Sequence, residues 1–254
     1  MDSAHLGRRL AVVFAVAFAI LVPTIQALTG WGQSAAEFSA DGNGTLRAAG
    51  YAFSIWSVIY LGLIIYAAYQ FQAQRAEPQL LAAVGWPSVI ASLGCGLWII
   101  ASAADLDWAS VVIILTSAAA MILGLIRARR RGLGQTSWPR RLVIWPLGLL
   151  AGWLTAASAL NILTVLTAEG IITPAIAEGA ALAGVAAVVL AGLWAGAAVG
   201  VVTYGVAVSW GLLAVAVAES ASKPPVAAAA LAGAVAVLAF AIVLALRRAR
   251  PRQT

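Results

Sequence analysis

The stretch AGYAFSIWSVIYLGLIIYAAYQF, residues 49–71, carries no charged side chain and is long enough to cross the hydrocarbon core of a bilayer, about 30 Å thick. Similar stretches recur along the chain, which has 254 residues, 63% of them hydrophobic and only 9% charged. A soluble domain usually has about 25% charged residues. Because backbone groups in lipid must be hydrogen-bonded within their own segment, and no stretch alternates as a barrel strand does, we predict helices. The composition therefore predicts an all-α membrane protein and excludes soluble classes.

The apolar stretches divide into eight predicted transmembrane spans. They cover residues 10–28, 47–71, 81–103, 107–127, 141–166, 175–196, 198–219 and 225–246. With the N-terminus in the cytoplasm, every basic residue except Arg47 and Lys223 lies in an inner segment, as the positive-inside rule requires. Residues 175–219 could instead form one span and a re-entrant piece, which gives seven spans. The arginine-rich tail would then lie outside. Eight spans with both termini inside is therefore the better prediction.

The first span has a second interpretation. LGRRLAVVFAVAFAILVPTIQALTG, residues 6–30, has the basic start and apolar middle of a signal peptide. No clear small-x-small cleavage site follows, and the apolar run reaches spanning length. These observations favour an uncleaved helix over a cleaved leader.

Two extramembrane segments have a composition that suggests a role. TGWGQSAAEFSADGNGTL, residues 29–46, is rich in glycine and small polar residues, so it could fold over the mouth of the bundle or form a mobile connector. RARRRGLGQTSWPRR, residues 127–141, is typical of a surface that meets anionic lipid headgroups. Membrane lipids are therefore predicted partners.

The predicted spans place no Asp, Glu, Lys, Arg or His in mid-membrane. Proton relays usually need such groups, so their absence disfavours ion-coupled transport. Intramembrane hydrolysis would need a nucleophile with a base or a pair of carboxylates. The single histidine, His5, lies in the N-terminal tail. The basic residues behind the formal charge of +6 are distributed as the positive-inside rule requires, so the charge does not indicate nucleic-acid binding. We predict no enzyme activity, no catalytic or metal site, no cofactor and no nucleic-acid partner.

Aromatic rings in the second span form two groups. On a helix, Phe53, Trp56 and Tyr60 fall within about 60° of one another. They form what we call the ring stripe. Tyr51, Tyr66 and Tyr69 point the other way, near the two ends of the span, as interfacial anchors would. The stripe alone is compatible with simple packing.

The fifth span carries a second pattern in WPLGLLAGWLTAASALN, residues 145–161. Trp153, Ala157 and Asn161 are spaced by four and share one helix face. An Asn within a span needs a hydrogen-bond partner or a wet cavity. Small residues at four-residue spacing, Gly148 with Gly152 and the series Gly192, Gly196 and Gly200, predict close packing of helices.

The second-span sequence AGYAFSIWSVIY and the fifth-span pattern Trp153-x3-Ala157-x2-Leu160-Asn161 resemble the TspO/MBR family of tryptophan-rich sensory proteins. The closest resemblance is to the longer bacterial branch with extra C-terminal helices. In the third span Trp98 matches the family pattern, and Cys95 stands where the family has Asn. The resemblance implies a five-helix transmembrane bundle in residues 1–167. Residues 168–254 would then be a three-helix C-terminal extension with a basic tail, which shields the bundle or replaces a dimer contact.

The resemblance also implies a function. It implies an aromatic-lined pocket between helices that binds a hydrophobic ligand, a tetrapyrrole such as haem or a porphyrin, or a sterol-like molecule, for sensing or transport. The candidate ligand-binding residues are Phe53, Trp56, Tyr60, Trp98, Trp153, Ala157 and Asn161. It further implies a multi-pass protein of the bacterial cytoplasmic membrane that could form a homodimer. The alternatives are a permease or facilitator, and a membrane partner subunit without a small ligand.

Overall fold

The computed structural model describes residues 3–73, 77–135 and 137–249, and these residues form helices and connections without a strand. The α-helices are α1 (Ser3–Thr29), α2 (Ala35–Asp41), α3 (Ile55–Ala73), α4 (Pro78–Ala103), α5 (Asp107–Arg130), α6 (Ser137–Pro139), α7 (Trp145–Ala168), α8 (Ala177–Val199), α9 (Val202–Glu219) and α10 (Pro224–Ala249). A 3₁₀ turn at Gly50–Ser54 leads into α3, and a π-helical turn at Arg140–Ile144 leads into α7. Of the predicted inner arginines, Arg75, Arg250 and Arg252 lie outside the described residues.

Eight of these helices are long and apolar enough to span a membrane. They run Leu6–Thr29, Gly50–Gln72, Pro78–Ala103, Asp107–Arg130, Arg140–Ala168, Ala177–Val199, Val202–Glu219 and Pro224–Arg248. Each corresponds to one predicted span, with ends that differ by a few residues. The prediction of an all-α, eight-span membrane protein is confirmed. Since most spans expose large apolar side chains on the bundle surface, the protein contacts lipid.

The fifth span, α7, is the central helix of the structure. It packs against α3, α5, α8 and α9, while α2 lies at its C-terminal end. Helix α1 packs on α3 and α4, with Val12, Ala15, Val16 and Ala19 buried, so it is an integral member of the bundle. Helix α10 completes the fold against α8 and α9. The division of the chain near residue 167 stays a prediction, because α7 contacts helices from both parts.

Helices α7 and α9 cross closely at the predicted glycine pair. A Cβ on Gly148 would lie 2.7 Å from Oγ1 of Thr203, and a Cβ on Gly152 would collide with the carbonyl oxygen of Tyr204. The Tyr204 hydroxyl also hydrogen-bonds with Thr155 of α7 at 2.9 Å. The glycines therefore bring two backbones into contact, as small residues do at helix interfaces in lipid.

The second glycine series has a mixed role. Gly192 faces Val208 of α9 and Val237 of α10, where a Cβ would lie 3.0 and 3.3 Å from their methyl carbons. Gly200 instead ends α8 with a left-handed backbone, φ +71°, which glycine adopts without strain. Gly200 is therefore a helix cap, and an added Cβ there would collide with the Arg248 side chain of α10 rather than with a helix backbone.

One predicted interfacial anchor was wrong. Tyr66 is fully buried, because α1 packs on α3 here and Ser88 of α4 contacts the tyrosine hydroxyl. Its hydroxyl finds a partner in the Ser88 hydroxyl of α4 at 2.8 Å, which removes the need for an interfacial position. Tyr51, in contrast, is partly exposed near the start of its span and packs edge-on against Trp210 of α9.

Residues 44–52, which we call the pre-stripe segment, run along α9 and are hydrogen-bonded to it or its end at several points. Lys223 Nζ donates to the carbonyls of Gly44 and Thr45, at 2.9 and 2.6 Å. The backbone N–H of Arg47 donates to the buried Glu219 carboxylate at 2.8 Å, and its guanidinium pairs with the same oxygen at 3.3 Å. The two basic residues outside the inner pattern, Arg47 and Lys223, thus hold this segment in place.

Further along the pre-stripe segment, Ala49 N–H donates to the Ala214 carbonyl at 3.0 Å. The Trp210 indole donates to the Ala52 carbonyl, also at 3.0 Å. The partners on α9 descend from residue 219 to residue 210 as the segment ascends, so the segment lies antiparallel to α9. This contact sets where the second span begins.

We expect Gly152→Ala to lower the free energy of unfolding by about 1–3 kcal/mol or more, because the added methyl group meets backbone rather than a movable side chain. Thermal or denaturant unfolding of the purified protein in detergent measures this. Gly179→Ala in α8 is the matched control, since nothing lies within 4 Å of its added Cβ and alanine favours a helix. Equal effects of the two substitutions would contradict a tight α7–α9 crossing.

Candidate functional site

A cavity of about 470 Å³ lies between α2, α3, α4, α5 and α7, with contributions from α1 and α9. All seven candidate residues line it: Phe53, Trp56, Tyr60, Trp98, Trp153, Ala157 and Asn161. The pre-stripe segment and α2 also line it, which places the cavity at the end of the bundle that carries the first loop. We call this end the first-loop end and the opposite one the basic end.

The ring stripe meets the fifth span across this cavity. Trp56 and Tyr60 are stacked, with ring centroids 5.2 Å apart and planes at 30°. Trp153 of α7 lies edge-on to Phe53 at 6.4 Å and edge-on to Trp56 at 6.3 Å. These are favoured geometries for aromatic pairs. The four rings therefore form one continuous wall.

The local backbone explains the uneven spacing of the stripe. Phe53 lies in the 3₁₀ turn Gly50–Ser54, whereas Trp56 and Tyr60 lie in α3. Side chains three apart eclipse in a 3₁₀ helix, and side chains four apart share a face in an α-helix. The change of helix type thus keeps all three rings on the same side.

Trp98 is held by a hydrogen-bonded group between α4, α5 and α7. Its indole N–H donates to Asn161 Oδ1 at 2.9 Å, and Asn161 Nδ2 donates to the Ser110 hydroxyl at 2.9 Å. Ser110 in turn donates to the Asp107 carbonyl at 2.6 Å. Asn161 was expected to offer a polar contact to a ligand. Each of its polar atoms makes a bond within the bundle, which holds Trp98 in place, while its role in ligand binding stays a prediction.

Several residues that line the cavity have polar side-chain groups without a hydrogen-bond partner among the described residues. They include the indole N–H groups of Trp56 and Trp153 and the hydroxyl of Tyr60, and also the hydroxyls of Ser39 and Thr164. Trp98 and Trp210, by contrast, both donate to protein oxygens. The aromatic lining of the cavity therefore includes residues that carry hydrogen-bond donors without a described protein partner. Small residues, among them Ala156, Ala157 and Gly211, leave the space open beside Trp153.

Helix α2 covers the cavity at the first-loop end. Its Phe38 is 2% exposed and packs edge-on against Trp98, with centroids 5.5 Å apart. The helix starts at a capping box, in which Glu37 N–H donates to Ser34 Oγ and Ser34 N–H donates to the Glu37 carboxylate. The bond from Ser34 holds the pKa of Glu37 below its usual range. Of the two interpretations of residues 29–46, the structure supports the folded cap.

Several cavity residues were not identified from the sequence, including Gln26, Phe38, Cys95, Ser117, Thr164 and Gly211 as lining groups. For Phe38 a signal was present, because Ser34-x-x-Glu37 is a capping-box pattern. Gly211 had none, since its place in the wall depends on the packing of α9 beside Ala156 of α7. No Asp, Glu, Lys, Arg or His among the described residues lines the cavity.

We expect Phe38→Ala to increase the rate at which a methanethiosulfonate reagent modifies Cys95, the single cysteine and a cavity-lining residue. Loss of a buried Phe costs about 3–5 kcal/mol in a packed core, so the open cap should be more populated and the rate should rise at least about tenfold. Phe14→Ala is the control, because Phe14 is 65% exposed on α1. An unchanged rate in Phe38→Ala would show that α2 does not close the cavity.

Comparison with known proteins agrees with the resemblance in the second and fifth spans. A family model described as TSPO-like protein matches residues 9–243, a range that reaches from the first span into the eighth. Neither curated proteins nor solved structures gave a match. The match covers nearly the whole chain and includes the cavity residues and the three C-terminal spans. We conclude that the chain belongs to the TSPO-like protein family.

Proposed function

We propose that this protein binds a flat hydrophobic ligand, a tetrapyrrole or a sterol-like molecule, in the cavity for sensing or transport. The observation that supports it best is that rings from the second, third and fifth spans surround one cavity. A volume of about 470 Å³ falls in the range of about 300–1,000 Å³ typical of ligand pockets. Stacked and edge-on rings provide the surfaces on which a planar molecule packs well.

The donors without a protein partner limit the chemical class of the proposed ligand. Two indole N–H groups and one phenol hydroxyl belong to residues that line this largely apolar cavity, and each can bond to an acceptor on a ligand. The proposed ligand therefore carries oxygen acceptors at one edge, as the carboxylates of a tetrapyrrole or the hydroxyl of a sterol do. A purely aliphatic ligand would leave these donors without partners.

Binding without catalysis is part of the proposal. The described cavity lining offers no carboxylate or imidazole to act as acid or base, which argues for a non-enzymatic role. A facilitator remains the alternative in the transport class, since it needs no buried charge. A partner subunit without a small ligand is the other alternative, and a homodimer stays a prediction from the family resemblance.

We expect a porphyrin to quench the tryptophan fluorescence of the purified protein with saturation. Trp56→Leu and Trp153→Leu should weaken binding at least about tenfold, because truncating a central aromatic contact often costs about 2 kcal/mol or more. Ala157→Leu should weaken it as well, because the larger side chain fills the cavity without removing a ring. Bound porphyrin should also protect Cys95 from thiol reagents.

Trp194→Leu is the matched control for the titration, since Trp194 is 68% exposed and does not line the cavity. Unsaturable quenching, or equal affinity in the cavity variants and the control, would refute the ligand-binding proposal. If the porphyrin binds with saturation, its flux in sealed vesicles would separate transport from sensing. Stable co-purification of another membrane protein, without porphyrin binding, would favour the subunit alternative.

We also propose that the protein lies in the bacterial cytoplasmic membrane with both termini in the cytoplasm. Basic residues of α5, the start of α7 and the end of α10 gather at one end of the bundle, as the positive-inside rule requires of a cytoplasmic face. A fluorescent-protein fusion after residue 254 should fluoresce, and an alkaline phosphatase fusion there should be inactive. The reverse pattern would overturn this orientation.

A further inference from the structure

A second pocket, of about 270 Å³, lies at the basic end of the bundle, opposite the aromatic cavity. Three arginines line it, each from a different element: Arg129 near the end of α5, Arg140 in the turn before α7, and Arg248 at the end of α10. The connection between α8 and α9, residues 199–201, forms another wall. Residues that are far apart in the sequence are thus brought around one small space.

Part of this positive charge is used to cap α8. Arg129 donates to the carbonyls of Ala197 and, at 2.6 Å, Ala198, and Arg248 donates to the carbonyl of Gly200. These are unpaired carbonyls at a helix C-terminus, where cations are favourable. Each guanidinium has five N–H donors, so both arginines keep donors for another partner.

The capping does not balance the charge of the pocket. A helix C-terminus is equivalent to about half a negative charge, whereas three guanidiniums carry three positive charges. The N-terminus of α9 begins beside the pocket at Val201, and its dipole adds a positive contribution of similar size. No Asp or Glu is among the described residues that line the pocket. The pocket therefore has an excess of positive charge.

Of the three arginines that line the pocket, Arg140 makes the fewest hydrogen bonds to described residues. It is half-buried, and its guanidinium hydrogen-bonds to no described residue. The other two arginines of the pocket, Arg129 and Arg248, donate to carbonyls at the end of α8. Holding a guanidinium beside two others without an anion is electrostatically unfavourable, which points to a negatively charged partner.

We propose that this pocket binds the phosphate group of an anionic phospholipid headgroup. Guanidinium forks match phosphate oxygens in two-point hydrogen bonds, and a helix N-terminus favours the same anion. The pocket lies at an end of the spanning helices, where headgroups are found, and basic pockets between spans are suited to anionic lipids. The bound phosphate would join α5, α7 and α10 at the α8–α9 connection. This site does not depend on the ligand proposed for the aromatic cavity.

The test uses full-length protein in zwitterionic detergent, with the unfolding midpoint followed by tryptophan fluorescence. Phosphatidylglycerol is titrated in one arm, net-neutral phosphatidylcholine in a second, and inorganic phosphate at constant ionic strength in a third. We expect phosphatidylglycerol to raise the midpoint with saturation. Arg140→Gln should weaken this response about tenfold, because it removes charge-assisted hydrogen bonds.

Arg130→Gln is the matched control, because Arg130 is exposed, lies next to Arg129 in the sequence and does not line the pocket. It should respond as the unsubstituted protein does. If Arg140→Gln does not fold, Arg248→Gln tests the same pocket. A response to inorganic phosphate alone, lost in the pocket variants, would support the phosphate site with a soluble source. No response in any arm, or equal losses in pocket and control variants, would overturn the proposal.

Discussion

The packing of α9 governs the candidate site, because this helix fixes both the start of the ring stripe and the support of Trp153. On one side it receives the pre-stripe segment through the buried Glu219 carboxylate and the Trp210 indole. On its other side it touches α7 at Gly152, close enough that no side chain fits between them. The two walls of the cavity are therefore positioned by a helix from the C-terminal part of the chain.

Polar groups inside a membrane need hydrogen-bond partners within the protein, because lipid supplies none. Two deep tryptophans, Trp98 and Trp210, donate their indole N–H groups to protein oxygens. Two others, Trp56 and Trp153, line the cavity, and their indole N–H groups have no such partner among the described residues. A donor without a protein partner can bond to an acceptor on another molecule. This difference between the two pairs is one reason for the ligand proposed for the cavity.

Much of the fold could be predicted because it rests on one-dimensional constraints. Span length, the absence of charge and the distribution of arginine are properties of the sequence, and they predict eight helices with nearly correct ends. The seven candidate residues also line one cavity. Periodicity predicts which helix face each residue occupies, and the family resemblance implies that these faces surround the same pocket. Tyr66 was misassigned and the cap at Gly200 was not predicted, because burial and a left-handed cap depend on neighbours that a single span does not reveal.

Composition and spacing alone thus determine that the chain is an eight-span helical membrane protein with an aromatic face in its second span. The folded chain decides what those rings do. Asn161 bonds to Trp98 and Ser110 rather than remaining free, and α2 places Phe38 over the cavity mouth. Arg129, Arg140 and Arg248 share a pocket although more than a hundred residues separate the first from the last. Such contacts arise from helix crossings, whose partners are set by the shape of packed side chains and not by the period of any one helix.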